Sequence, residues 1–225
     1  MWNWLIDLRE LVYPHLCPWC GNPISKEQVI CTDCYLKSAS NEAALREKAE
    51  LRIIPYFPIE RAYSFFLYNN SSRQLALQFK YHGQKLLALN AGRMMANSLL
   101  TTSDFLHDIN CLIPVPLHPR RQKERGYNQS EYLAKGISEQ TGIPIRTDLV
   151  ERIHYTTPQA QLTHEEREKN VKNIFRGIPQ IENSKGQHWM IIDDVMTTGS
   201  TLAECLKAIR EKHEAELSVL TLFIT

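Results

Sequence analysis

The stretch Trp189-Met190-Ile191-Ile192-Asp193-Asp194-Val195-Met196-Thr197-Thr198-Gly199-Ser200-Thr201 decides the fold of this chain. Its first four residues form an apolar run, the pattern of a short strand buried on both faces of a parallel sheet. Two carboxylates close the strand, a small hydroxyl-rich turn follows, and Leu202, Ala203, Leu206 and Ile209 recur at helical spacing. A strand, a tight Thr/Gly/Ser turn and a helix start, in that order, build an anion pocket. Main-chain N–H groups of the turn, from Met196 through Thr197, Thr198, Gly199, Ser200 and Thr201, converge on it with the positive end of the helix dipole. Gly199, lacking a side chain, lets the backbone come close to a ligand. Asp193 and Asp194 would repel a bare phosphate, so they call for hydroxyl groups or a metal that travels with it. A ribose 5-phosphate meets both demands, with its phosphate in the turn and its ring hydroxyls on the acid pair. The alternative is an ordinary strand–loop–helix junction with a capping Ser or Thr and two solvated acids.

At 225 residues the chain has room for one large domain with a small appendage, or two modest ones. With 43% apolar and 23% charged residues it matches a soluble globular protein. A net charge of +1 gives no global field for nucleic acid, so any such role rests on a local patch. No apolar run approaches the ~20 residues that cross a bilayer. Met1 to Val12 carries Asp7, Arg9 and Glu10 and lacks the unbroken apolar stretch of a secretory signal, so the chain is expected in the cytoplasm. Trp4, Leu5, Leu8, Leu11 and Val12 mark one face of a short amphipathic helix that caps the segment after it. Peripheral membrane contact is the other use of such a helix, but its polar face lacks the usual Lys/Arg richness.

Four of the six cysteines fall in the pairs Cys17-Pro18-Trp19-Cys20 and Cys31-Thr32-Asp33-Cys34. Each CxxC turn puts two thiolates on one side of a knuckle, and two knuckles complete a tetrahedral shell. Four thiolates leave no position for substrate, which favours a structural zinc; a rubredoxin-like iron or an iron–sulfur cluster has the same ligands. So short a segment depends on the metal for its folding. Cys111 and Cys205 stand alone in apolar surroundings and read as core.

Lys37 to Glu50 reads as a linking helix broken by the prolines of residues 53–58, so the pattern divides the chain into a knuckle module over residues 1–45 and a second domain over 52–225. Strand character follows over Ile59–Tyr68, helices over Ser71–Tyr81 and Lys85–Leu100, and a buried strand over Cys111–Pro116. Directly after it, four basic side chains and His118 crowd into residues 117–125. An isolated basic loop is usually just solvated. Here it follows a strand, as the acid-hydroxyl turn does, and ligands of open α/β sheets collect at the carboxyl ends of strands. Pro116, Leu117, His118, Arg120 and Arg121 are therefore assigned to a pyrophosphate, which arginines clamp bidentately. A helix over Ser130–Gln140 stops at Gly142, and a short strand is placed at Ile143–Ile145. His154 to Asn170 is polar and aperiodic, a lid or a plain surface loop. Short strands over Phe175–Ile181 and Leu217–Ile224 complete an α/β, doubly wound, mainly parallel sheet with a small N-terminal four-cysteine zinc-knuckle module.

The acid-hydroxyl motif resembles the phosphoribosyl pyrophosphate (PRPP) motif of type I phosphoribosyltransferases. With Cys17/Cys20/Cys31/Cys34, Phe79-Lys80-Tyr81-His82-Gly83, Pro114-Val115-Pro116-Leu117, Arg125-Gly126-Tyr127-Asn128-Gln129, and Thr157 to Thr163 with Arg167, Asn170 and Val171, nearly the whole chain resembles the ComF-type branch of that family. The resemblance implies PRPP binding with magnesium and a role in natural transformation, beside incoming single-stranded DNA and a competence helicase. It implies no known phosphoribosyl acceptor. The competing function is metabolic, a transfer of ribose 5-phosphate to ammonia or a nucleobase, for which no base-reading pocket stands out.

Overall fold

A computed structural model describes residues 14–39, 42–79, 84–155 and 173–225. The chain enters through a small antiparallel pair, β1 (His15–Leu16) and β2 (Pro23–Ile24), followed by α1 (Thr32–Ala39) and α2 (Glu42–Ile53). Then come β3 (Ala62–Leu67), α3 (Asn70–Gln78), α4 (Lys85–Thr102), β4 (Cys111–Pro114), α5 (Pro119–Arg125) and α6 (Gln129–Thr141). The last third holds β5 (Val150–Arg152), β6 (Phe175–Gly177), β7 (His188–Met196), α7 (Ser200–Arg210) and β8 (Glu216–Ile224).

Four strands form one parallel sheet in the order β3-β8-β7-β4. The unbroken apolar sequence of β7 is explained by its place in the middle. Trp189 and Ile191 join one apolar layer with α2 and α7, while Met190 and Ile192 join the other with α3, α4 and α6. Helices thus cover both faces, the doubly wound arrangement expected from the alternation of elements. Ser64 and Thr221, both fully buried, satisfy one another by a hydroxyl–hydroxyl hydrogen bond between β3 and β8.

Several boundaries differ from the sequence expectation. The strand placed at 143–145 is a single parallel bridge from Ile145 to Leu112, because Pro144 contributes a carbonyl but no N–H. The segment read as a basic loop contains a helical stretch, α5. The strand at 175 pairs antiparallel with β5, a strand of mixed polarity that has no clean pattern, and the two lie outside the main sheet. The segment predicted as a linking helix is shared between the end of α1 and α2. Its second half, α2, sends Leu45, Ala49 and Ile53 into the core beside Trp189 and Ile191. The amphipathic helix expected over Trp4–Val12, the Lys80–Gly83 motif and the Thr157–Val171 segment lie outside the described residues. Among the described residues no helix is long and apolar enough to cross a membrane.

Helices α4 and α6 touch backbone to backbone. A Cβ on Gly92 would stand 2.1 Å from the Leu133 carbonyl oxygen, and one on Gly136 would stand 2.1 Å from that of Leu89. Close approach at this crossing is possible only without side chains. Gly92→Ala is therefore expected to lower stability by about 3 kcal/mol through overpacking, read as a reduced denaturant midpoint at unchanged slope. A midpoint within error of the parent would show that the helices separate without cost.

Candidate ligand cleft and metal centre

From β7 the chain returns through α7 to β8, on one side of the sheet order; from β4 it runs through α5 and α6 to Ile145, on the other. The two connections diverge between adjacent strands, and the crevice outside their carboxyl ends is where open α/β sheets bind ligands. A cleft lies there. Leu117, Arg121 and Arg125 line it from the β4 side; Asp193, Asp194, Met196, Thr197, Gly199 and Thr201 line it from the β7 side, and Arg152 completes it.

Asp193 and Asp194 lie within β7 rather than after it. Pairing with β4 ends at Pro114 opposite Ile192, whereas pairing with β8 continues to Met196 opposite Ile224. The acids are thus held straight along one edge and open along the other. Among the described residues two groups donate to Asp193, both to Oδ1: the Ser130 hydroxyl at 2.8 Å and the Asp194 main-chain N–H at 2.9 Å. Burial, then the adjoining Asp194 charge, push the Asp193 carboxyl up to about 7.

In the turn, Gly199 takes φ +82°, a left-handed conformation that suits glycine. A Cβ there would lie 2.5 Å from the Arg52 carbonyl oxygen. The missing side chain thus serves packing against α2 as well as the turn, a reason for glycine different from the close ligand approach read from sequence. Arg52 ties the turn down by donating to the carbonyls of Thr197 (2.6 Å) and Thr225 (2.8 Å). The hydroxyls of Thr198 and Ser200 are buried and bonded to each other at 2.7 Å, and neither residue lines the cleft. The first-turn amides of α7 have no acceptor inside their helix, the usual condition at an anion-binding helix start.

On the basic side, His118 caps α5 by accepting the Arg120 N–H on Nδ1 at 3.2 Å, and Gly126 ends the helix at φ +77°. Four-residue spacing puts Arg121 and Arg125 on one face, toward the cleft. Arg120 is turned elsewhere: it pairs with Glu124 at 3.2 Å and lies 4.6 Å over the Tyr155 ring, which His118 meets edge-on. Pro116, His118 and Arg120 do not line the cleft, whereas Leu117 and Arg121 do. Arg125, held by Gln129 Oε1 at 3.0 Å, and Arg152 were not assigned to the site from sequence. Helical spacing from Arg121 could have found Arg125; Arg152 lies on the unpatterned β5 and left no local signal. Burial, then a neighbouring arginine, hold both Arg121 and Arg152 below the usual guanidinium range, as like charges crowded into a cleft require.

The loop between α5 and α6 is built from its own motif. Tyr127 Oη and Gln129 Nε2 both donate to the Phe79 carbonyl, at 2.6 and 2.9 Å. Asn128 caps α6 through the Ser130 N–H (3.1 Å) and donates to the Val115 carbonyl (3.0 Å), locking the helix start to the end of β4.

The sulfur atoms of Cys17, Cys20, Cys31 and Cys34 all lie within 4.8 Å of one another. A tetrahedral ion with ~2.3 Å metal–sulfur bonds needs about 3.8 Å between sulfurs, so the four thiols fit a bound metal. The knuckle is not free-standing. Cys17, Val29 and Ile30 belong to the apolar layer that contains Phe66 and Phe223, and the Trp19 ring meets Phe66 edge-on with centroids 5.0 Å apart. Tyr35 Oη donates to Ser98 Oγ on α4 at 2.6 Å.

A second cluster resembles catalytic machinery and is not a site. Ser218, His188 and Asp108 form a hydrogen-bonded chain with steps of 2.7 and 2.9 Å. Ser218 is fully buried at the amino end of the sheet, away from the cleft, so substrate has no access to it.

The raised Asp193 has a measurable consequence. Between its unfolded value near ~3.9 and its folded value of about 7, the native state holds a proton that the unfolded state lacks, so this group lowers stability as pH rises across that window. Asp193→Asn removes the effect. The variant is expected to gain on the parent from near zero at low pH to at most about 4 kcal/mol above neutrality, ~1.4 kcal/mol for each pH unit of the window, read by denaturation at several pH values. A gain independent of pH would contradict this.

No protein-family model matches the chain. It is 28% identical over 206 residues to the DNA utilization protein YhgH of Salmonella typhimurium, covering 91% of this chain and 82% of that one. Competence protein ComFC of Bacillus subtilis is 28% identical over 207 residues, covering 89% and 74%. Competence protein F of Haemophilus influenzae is 37% identical over 108 residues, covering 48% and 47%. Solved structures with some likeness include a purine phosphoribosyltransferase from Pyrococcus horikoshii (TM-score 0.35, 15% identity, 60% of this chain and 81% of that one). Another is the glutamine PRPP amidotransferase from B. subtilis (TM-score 0.40, 17% identity, 65% and 30%). In sequence the chain is similar to competence and DNA-utilization proteins, and it joins a four-stranded parallel sheet covered by helices on both faces to a four-cysteine cluster.

Proposed function

We propose that the cleft binds PRPP with magnesium, and that the protein serves natural transformation by acting on incoming single-stranded DNA in the cytoplasm. The observation that carries the ligand is the division of charge: Arg121, Arg125 and Arg152 share one cleft with the Asp193/Asp194 pair. An anion alone would not need the acids, and a cation alone would not need the arginines. A sugar with vicinal hydroxyls, a phosphate and a pyrophosphate uses both. The arginines bind pyrophosphate oxygens, the start of α7 takes the 5-phosphate, and the acids accept the ring hydroxyls. Asp193 and Asp194 are hard oxygen donors and would also hold a magnesium ion arriving on the ligand; when bound, it neutralises part of the pyrophosphate charge. The role in transformation, with a competence helicase as partner, is supported by relatives named for competence and DNA utilization. At the four thiolates we place zinc in a structural role, since a closed shell leaves no ligand position for chemistry.

Titration calorimetry with PRPP and magnesium is expected to show one site per chain. Arg121→Ala should weaken it at least about tenfold, the loss of a charge-assisted clamp, and the double variant Asp193→Asn with Asp194→Asn should weaken it as well. Unchanged affinity in both variants would remove the cleft as the site. Elemental analysis should find one zinc per chain, and stoichiometric iron would reassign the metal. In a transformable host the acid-pair variant should lower transformation frequency with normal growth on medium lacking purines and pyrimidines. Nucleotide auxotrophy with normal transformation, together with pyrophosphate release onto ammonia or a nucleobase, would establish the metabolic transferase instead.

A further inference from the structure

The hydrogen bonds around Asp193 are one-sided. Ser130 Oγ and the Asp194 N–H both donate to Oδ1, and among the described residues no donor reaches Oδ2. A carboxylate accepts on both oxygens; when two donors saturate one, rotation about the Cβ–Cγ bond is fixed and the other is the oxygen left for a ligand. The Asp194 amide is set by the strand itself. Ser130 is the part that sequence could have changed: it is a buried side chain, 4% exposed, on a different element. Its position is rigidly determined. Asn128 accepts the Ser130 N–H and donates to the Val115 carbonyl, and the Val115 N–H in turn donates to the Ile192 carbonyl, one residue before the acid. The loop is thus closed through side chains and main chain from β7, across the end of β4, through the start of α6 and back to β7.

We propose that Ser130 is a positioning residue that selects a hydroxyl-bearing ligand, by orienting the Asp193 carboxylate so that one defined oxygen faces the ring hydroxyls of a sugar phosphate. This rests on the reading of the cleft as a phosphoribosyl site and adds the source of its preference for a polyol over a plain phosphate ester. The phosphate itself is held by the turn and the arginines, none of which Ser130 touches. Removing the Ser130 hydroxyl frees the carboxylate to rotate and leaves the phosphate contacts in place.

The test compares two probes on the whole protein: ribose 5-phosphate, which has the hydroxyls, and n-propyl phosphate, which lacks them. The parent is expected to prefer ribose 5-phosphate. Ser130→Ala should weaken ribose 5-phosphate about tenfold, the effect of one lost hydrogen bond to a charged group, and leave n-propyl phosphate unchanged. Structural damage from the substitution would weaken both probes equally, which overturns the proposal. An unchanged preference in Ser130→Ala overturns it too, while leaving the phosphoribosyl site in place. A parent that binds neither probe refutes the reading of the cleft and the proposal with it.

Discussion

The cleft exists because two neighbouring strands end at different heights. Strand β4 stops pairing at Pro114, opposite Ile192, and β7 runs on to Met196 with β8 alone. The Val115 N–H still reaches the Ile192 carbonyl, but the next bond is pre-empted at both ends: Asn128 donates to the Val115 carbonyl, and the Asp194 N–H turns to the Asp193 carboxylate. Everything that follows uses the uncovered edge. The acids sit on it, α5 folds back over it, and the Asn128–Ser130 corner joins the two strands where their main chains no longer meet.

Several groups here work against the stability of the fold. Three arginines converge, and a carboxyl is driven toward neutrality. The ligand proposed above, carrying both charge and hydroxyls, would offset this crowding. Such local conflict inside an otherwise consistent α/β core is the pattern of a site shaped for binding.

The centre of the molecule was legible in the sequence because its physics is local. The Trp189–Ile192 run, the hydroxyl turn and the 3.6-residue spacing after it fix strand, loop and helix within the 21 residues from Trp189 to Ile209. The paired CxxC spacing did the same for the knuckle. What sequence missed comes from long-range geometry. Arg152 reaches the cleft only because β5 pairs with β6. Ser130 reaches Asp193 across 63 positions of chain. Charge density alone could not tell that Arg121 and Arg125 face the cleft while Arg120 lies over Tyr155, since that distinction depends on α5 being a helix. Trp19, inside the first CxxC pair, packs on Phe66 because the knuckle docks on the sheet, which no local pattern announces.

That docking makes metal supply a matter for the whole molecule. Cys17, Val29 and Ile30 share one apolar layer with Phe66, Phe79 and Phe223, so the thiolate cluster cannot come apart in isolation from the sheet. Any ion bound there adds to the folded state by mass action, about 1.4 kcal/mol for each tenfold rise in its free concentration above the dissociation constant. A cell short of that ion would lose folded protein, and with it a binding cleft that no metal–thiolate bond touches. Abundance of the active chain would then track the nutritional state of the cell through a cluster that takes no part in the chemistry.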